Sequence, residues 1–309
     1  MDYIYLIGGL IVLIVGGEFL VKGATALAQR FRLSPLVIGL TIVSFGTSAP
    51  ELLVSIMATL DGHSDVAIGN VVGSNISNIG LVLGATVIVR AIHVKPQSIL
   101  IDWPVMFLVS VLFYAFCLSS FELSMLEGVV FTTGLIAYNF GMIKYAKTQK
   151  KEDALDEDNT STSTLGIDLL CLIIGVLALS GGAHFLVEGV VSLAKEWGVS
   201  ERVISLSLVA FGTSLPELTT SIVAAVKKET ELALGNVLGS NIYNILCILG
   251  ISSLITPIKV NPEVVNWDVF WMLGVALFIY PFMRYARKIG LVAGIILLLT
   301  YFVYIYLIL

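Results

Sequence analysis

Long apolar runs separated by short polar turns fill almost the whole chain. They define ten segments, at about 3–28, 35–60, 65–89, 100–118, 122–143, 167–190, 202–226, 232–256, 267–283 and 289–308. A membrane helix needs about 20 apolar residues, whereas barrel strands are about half as long and alternate apolar with polar. The pattern therefore predicts an all-α polytopic membrane protein with ten transmembrane helices. Several segments are longer than the hydrocarbon requires, which predicts tilt or breaks. The one long polar interval, KYAKTQKKEDALDEDNTSTSTLG at 144–166, is charged and then rich in Ser and Thr, without apolar period. It reads as a solvated linker. Its acidic run, Glu152 to Asp158, is a candidate regulatory cation site, and a plain linker accounts for it more simply.

The two sides of that linker repeat each other at a constant offset of 166 residues. Phe19, Leu20, Val21 and Gly23 match Phe185, Leu186, Val187 and Gly189, and Ser34 matches Ser200. SFGTSAPELLVS, at 44–55, matches AFGTSLPELTTS, at 210–221. GNVVGSNISN, at 69–78, matches GNVLGSNIYN, at 235–244; Pro96 and Asp102 match Pro262 and Asp268. An ungapped offset held this long marks an internal duplication. The domain reading is a first five-helix repeat at 1–143, the linker at 144–166, and a second five-helix repeat at 167–309. Five is odd, so the second repeat enters the membrane from the opposite side. Inverted repeats that meet at mid-membrane are how secondary transporters build a central site with alternating access.

Charge sets the orientation. With the N-terminus outside, fourteen of the 17 Lys and Arg residues fall on the inner side and three, Lys195, Arg202 and Lys259, on the outer side. That positive-inside bias places both termini outside the cytoplasm and the linker within it, in a plasma (inner) membrane. Composition agrees: 57% of residues are hydrophobic and 13% charged, against about 25% charged in soluble domains. The first segment has no basic leader and no small-residue cleavage site, so it reads as a retained helix. Cys117, Cys171 and Cys247 all lie in apolar runs, the three histidines are scattered, and no basic patch suggests nucleic acid. Nothing in the sequence points to a cofactor, an enzyme's catalytic residues, or an obligate dimer, so a monomer suffices.

The conspicuous cost is a glutamate deep in an apolar segment, twice. Glu51 and Glu217 lie ten or more residues from a segment end, too deep to reach the interface easily. Thr47 and Glu51 are four apart and share a helix face, with Ser48 beside them; Thr213, Ser214 and Glu217 repeat this. Gly46 with Pro50, and Gly212 with Pro216, predict a kinked or broken helix, because proline lacks an N–H and disturbs the preceding turn. Ser74 and Asn78, and Ser240 and Asn244, are again four apart. Gly69 with Gly73, and Gly235 with Gly239, predict tight helix contact. Asn75 and Asn241 face elsewhere and are secondary candidates, for ligation or for joining helices. Glu18 and Lys22 read as a local pair, and Asp102 and Asp268 as interfacial.

Brought together by inverted symmetry, these residues offer two carboxylates, hydroxyls and amide oxygens, without sulfur or imidazole. Hard oxygen donors suit Ca²⁺ or Na⁺ rather than zinc or copper. One Ca²⁺ neutralises two glutamates, and so do two Na⁺. A site satisfied by either load and costly without one is a physical basis for exchange. A cation channel and a calcium-binding membrane protein are the readings from other classes.

The paired GTSAPE and GTSLPE stretches, each followed by GNxxGSNIxN, resemble the sodium/calcium exchanger family of the cation/calcium exchanger group, in its compact prokaryotic form. The resemblance covers essentially the whole chain. It implies antiport of Na⁺ against Ca²⁺, three to one and electrogenic. It implies that Glu51 and Glu217 ligate Ca²⁺ and share Na⁺, and that the Thr47 and Thr213 carbonyls complete the calcium site. Ser48, Ser214, Ser74 and Ser240 would shape the Na⁺ sites, and Asn78 and Asn244 would line the middle. The first and sixth segments would be the mobile gates. Many relatives carry aspartate at the position of Asn244. Asparagine there removes a titratable group, which argues against potassium-dependent and proton-coupled exchange.

Overall fold

The computed structural model describes residues 2–152, 163–196 and 211–308. It is an all-α polytopic membrane fold. Among the described residues eight helices are long and apolar enough to cross a membrane, or nine with one bent pair counted as a single span. The first part of the chain forms α1 (Asp2–Phe31), α2 (Pro35–Thr47), α3 (Ala49–Leu60), α4 (Ser64–Val89), α5 (Ser98–Ser119) and α6 (Met125–Glu152). The second part forms α7 (Leu165–Glu196), α8 (Leu215–Val226), α9 (Thr230–Ile255), α10 (Val264–Ala286) and α11 (Leu291–Ile308). Positions 153–162 and 197–210, which hold most of the acidic run and the start of the seventh segment, lie outside the described residues.

Burial does not follow hydropathy alone, since the spans of α6 and α10, at 1.3 and 1.5, are only 17% and 33% buried. The helices α4 and α9 have a mean hydropathy of only 1.6, yet 83% of each window is buried; α1 and α11, at 2.3 and 2.5, are 33% and 28% buried. The two spans that carry the GNxxGSN motifs thus form the centre, and the most apolar ones turn Leu, Ile and Phe outward. A second core joins α1 to α7 and α8, through Leu13, Leu20, Leu179 and Val223. Here α1 and α7 approach closely. A Cβ on Gly16 would stand 2.8 Å from the Leu179 backbone nitrogen, and one on its repeat image, Gly182, 2.7 Å from that of Leu13. Only a residue without a side chain fits there.

The offset of 166 also governs contacts. Strand β1 (Ile92–His93) pairs antiparallel with β4 (Lys288–Ile289), and β2 (Glu122–Leu123) pairs antiparallel with β3 (Ile258–Lys259). Each pair is the image of the other under the offset, and each joins one repeat to the other.

Three expectations change. Helix α6 continues to Glu152, nine residues into the interval read as linker, because hydropathy marks where lipid ends and not where the helix does. Glu18 pairs with Lys227 at the end of α8 rather than with Lys22, since α8 packs along α1 and brings the ammonium across. Asp102 is fully buried instead of interfacial, within a π-helical turn at Ser98–Asp102, while Asp268 accepts a hydrogen bond from the Tyr304 hydroxyl at 3.0 Å. The glycine contact is present in the second repeat's motif. A Cβ on Gly235 would meet the Leu36 carbonyl at 2.5 Å. The positions matching Leu36 and Leu40, 202 and 206, lie outside the described residues.

Candidate functional site

The site begins with a broken helix. Helices α2 and α3 meet at a bend of 45°. The residue at the break, Ser48, has φ −84° and ψ 6°, off the helical region. Pro50 follows at the start of α3, and its missing N–H leaves the Gly46 carbonyl without the usual donor. The second repeat reproduces the break: Ser214 has φ −86° and ψ 1°, with Pro216 in the first turn of α8. The expected break is therefore present, centred on the serine. Gly46 and Gly212 face α7: a Cβ on Gly46 would stand 2.7 Å from a Val176 methyl, and one on Gly212 would run into a Val187 methyl.

Each glutamate enters the first turn of the helix after the break and is fully buried. Glu217 Oε1 accepts hydrogen bonds from the Ser48 hydroxyl at 3.1 Å and the Ser240 hydroxyl at 3.5 Å. Ser48 belongs to the opposite repeat, so the two motifs do meet. Among the described residues neither oxygen of Glu51 has a hydrogen-bond partner, and Glu217 Oε2 has none. Ser74 Oγ, Asn78 Oδ1 and Asn244 Oδ1 are likewise buried without a partner. Asn78 and Asn244 each open a π-helical turn, Asn78–Leu83 and Asn244–Leu249, a rare geometry that recurs at functional sites. Among the described residues no three His, Cys, Asp or Glu cluster as a metal site would require. The donors are carboxylate, hydroxyl and amide oxygens.

Not every candidate points the same way. Asn75 accepts from Asn244 Nδ2 at 3.0 Å, and its own amide donates to the Asn241 carbonyl at 3.4 Å and to Met272 Sδ at 3.6 Å. Asn241 donates to Met106 Sδ at 3.7 Å. These two join helices. The threonines turn their hydroxyls to asparagines in the other repeat: Thr47 donates to Asn236 Oδ1 at 3.0 Å, and Thr213 to Asn70 Oδ1 at 3.2 Å. Asn70 and Asn236 carry no role in the sequence reading. Their signal was present, as the second residue of each GNxxGSN, but a partner 143 or 189 positions away cannot be read from spacing.

Comparison with known proteins gives the same direction. A family profile described as sodium/calcium exchanger protein matches residues 1–144 and 167–309. The sodium/calcium exchanger MaX1 of Methanosarcina acetivorans is 33% identical, over 97% of this chain and 96% of its own. The inner membrane protein YrbG of Escherichia coli is 34% identical, over 96% and 92%. A solved structure of the sodium-calcium exchanger NCX_Mj, soaked with 2.5 mM Na⁺ and 0.1 mM Ca²⁺, superimposes with a TM-score of 0.86. It is 33% identical and covers 99% of this chain and 97% of that one.

Proposed function

This chain belongs to the sodium/calcium exchanger family, and from that premise we propose that it is a secondary active antiporter exchanging Na⁺ for Ca²⁺ across the plasma membrane. The observation that carries the reading is the set of buried oxygens that find no partner among the described residues, at Glu51, Glu217, Ser74, Asn78 and Asn244. Removing a carboxylate from water costs several kcal/mol even after relaxation, and among the described residues no Lys, Arg or His forms an ion pair with these two. The transported cation is the compensation. One Ca²⁺ balances both glutamates, and so does a pair of Na⁺. Without either, the buried charges oppose the change of facing, which keeps the carrier from crossing empty.

The ligand set follows the motif. Glu51 and Glu217 bind Ca²⁺ and share Na⁺; the Thr47 and Thr213 carbonyls, the Ser48, Ser214, Ser74 and Ser240 hydroxyls and the Asn78 and Asn244 amides supply neutral oxygens. Ten spans arranged as two inverted repeats of five place these groups at mid-membrane. The paired mini-sheets and the paired breaks at Ser48 and Ser214 support that symmetry. The lysine and arginine distribution supports outward termini and a cytoplasmic connection between the repeats. Helices α1 and α7 lie against each other and against α8 as a pair that could slide past the core together, and the resemblance assigns them as gates. No covalent step is needed: Ca²⁺ and Na⁺ compete for the same oxygens, and the loaded carrier changes its facing.

Three Na⁺ for one Ca²⁺ moves one positive charge per cycle. In Na⁺-loaded liposomes, Ca²⁺ uptake then accelerates at an inside-positive potential and does not need K⁺ or a pH gradient. Uptake that follows a K⁺ or proton gradient instead would move the chain to another exchanger branch. Ca²⁺ flux without Na⁺ on the opposite side would favour a channel.

A further inference from the structure

Asn70 and Asn236 make the same three contacts in the two repeats. The Asn70 amide nitrogen donates to the Glu51 carbonyl at 3.2 Å and to Ser55 Oγ at 2.9 Å, and its oxygen accepts from Thr213 Oγ1 at 3.2 Å. The Asn236 amide nitrogen donates to the Glu217 carbonyl at 3.4 Å and to Ser221 Oγ at 3.1 Å, and its oxygen accepts from Thr47 Oγ1 at 3.0 Å. Both side chains are buried, at 6% and 0% exposure, so losing either end leaves a polar group without water. The nitrogen end holds the helix that carries the glutamate of its own repeat. The oxygen end holds the broken helix of the other repeat, one residue before its break.

We infer that Asn70 and Asn236 are positioning residues that couple the two halves of the ion site. This rests on the exchange reading above and deepens it. A cation drawn to Glu217 pulls on the start of α8; through Asn236 that pull reaches Thr47 and the end of α2, which lead into Glu51. The mirror path runs from Glu51 through Asn70 to Thr213. Neither asparagine needs to touch the ion. Each makes the geometry of one glutamate depend on that of the other, which is what a single Ca²⁺ shared by two carboxylates requires. Hydrogen-bonded links of this kind give non-additive effects when cut twice.

The test is a double-variant cycle on the full-length purified protein, reading ⁴⁵Ca²⁺ binding and its displacement by Na⁺. Thr47→Val removes the hydroxyl and keeps the shape and the backbone carbonyl; Asn236→Ala removes the bridge. Each alone is expected to weaken Ca²⁺ binding on the order of tenfold, and the pair together no more than either alone. Thr47→Ser, which keeps the hydroxyl, restores binding in the wild-type background and not beside Asn236→Ala. The Na⁺ displacement curve becomes shallower in the same variants. Asn70→Ala with Thr213→Val gives a second cycle with the same expectation, which keeps the test decisive if one variant fails to fold. Additive losses, near a hundredfold in the double variants, or no loss at all, would overturn the coupling. Wild-type protein that binds neither ion would overturn the exchange reading and the coupling with it.

Discussion

At the scale of single residues, the account turns on which oxygens are left to the cation. Among the described residues no side chain donates to either carboxylate oxygen of Glu51, while Glu217 receives two serine hydroxyls on one of its own. The two glutamates are therefore unequal partners. Glu51→Gln and Glu217→Gln each take a charge from a buried pair, a change worth about 3–5 kcal/mol. At about 1.4 kcal/mol per decade, Ca²⁺ affinity should fall at least a hundredfold in either, measured as ⁴⁵Ca²⁺ binding. Asn244→Asp tests the middle of the site. It adds a carboxylate beside Asn75, so transport should become sensitive to acid and fall as pH is lowered through that group's titration. The parent, with an amide there, should show a flatter pH profile over the same range. The glutamates, serines, threonines and paired asparagines were legible because the sequence states them twice. The roles of Asn70 and Asn236, and the methionine contacts of Asn75 and Asn241, were not, because each depends on a helix far away in the chain.

At the scale of elements, local chemistry announced the breaks and not the bulges. Gly46 and Pro50 foretold the bend that falls at Ser48. The π-helical turns at Asn78–Leu83 and Asn244–Leu249 have no such signature, since no proline marks them, and what ties them to the site is the asparagine that opens each. Asp102 misled for a related reason. A carboxylate near a segment end reads as interfacial, but the π-helical turn at Ser98–Asp102 lies against the core. The close contact of α1 with α7 yields a prediction at this scale. Gly182→Val puts branched atoms where a Cβ would already be 2.7 Å from the Leu13 backbone nitrogen. Overpacking of this kind costs about 1–3 kcal/mol, so the melting temperature in detergent should drop by several degrees. If the two helices move as one gate, transport should fall further than stability does.

At the scale of the whole molecule, the duplication and the lipid-facing surface were both plain in the sequence, and the family followed from the paired motifs. The cross-repeat pairing of β1 with β4 and β2 with β3 was not, because two-residue strands carry no period. The inverted topology has its own test. A cysteine introduced at His63, between α3 and α4, should react with an impermeant maleimide from outside intact cells, and one at Lys228, between α8 and α9, only after permeabilisation; for this the three native cysteines, all buried, are first replaced. The opposite labelling would reverse the proposed orientation. The central claim is that a transported cation offsets two buried glutamates. Its most direct test is ⁴⁵Ca²⁺ uptake into liposomes that hold the purified protein and internal Na⁺, diluted into Na⁺-free medium, beside Glu51→Gln and Glu217→Gln. The account predicts uptake that requires internal Na⁺ and vanishes in both variants. Uptake that persists in either variant, or proceeds with no Na⁺ inside, would contradict it.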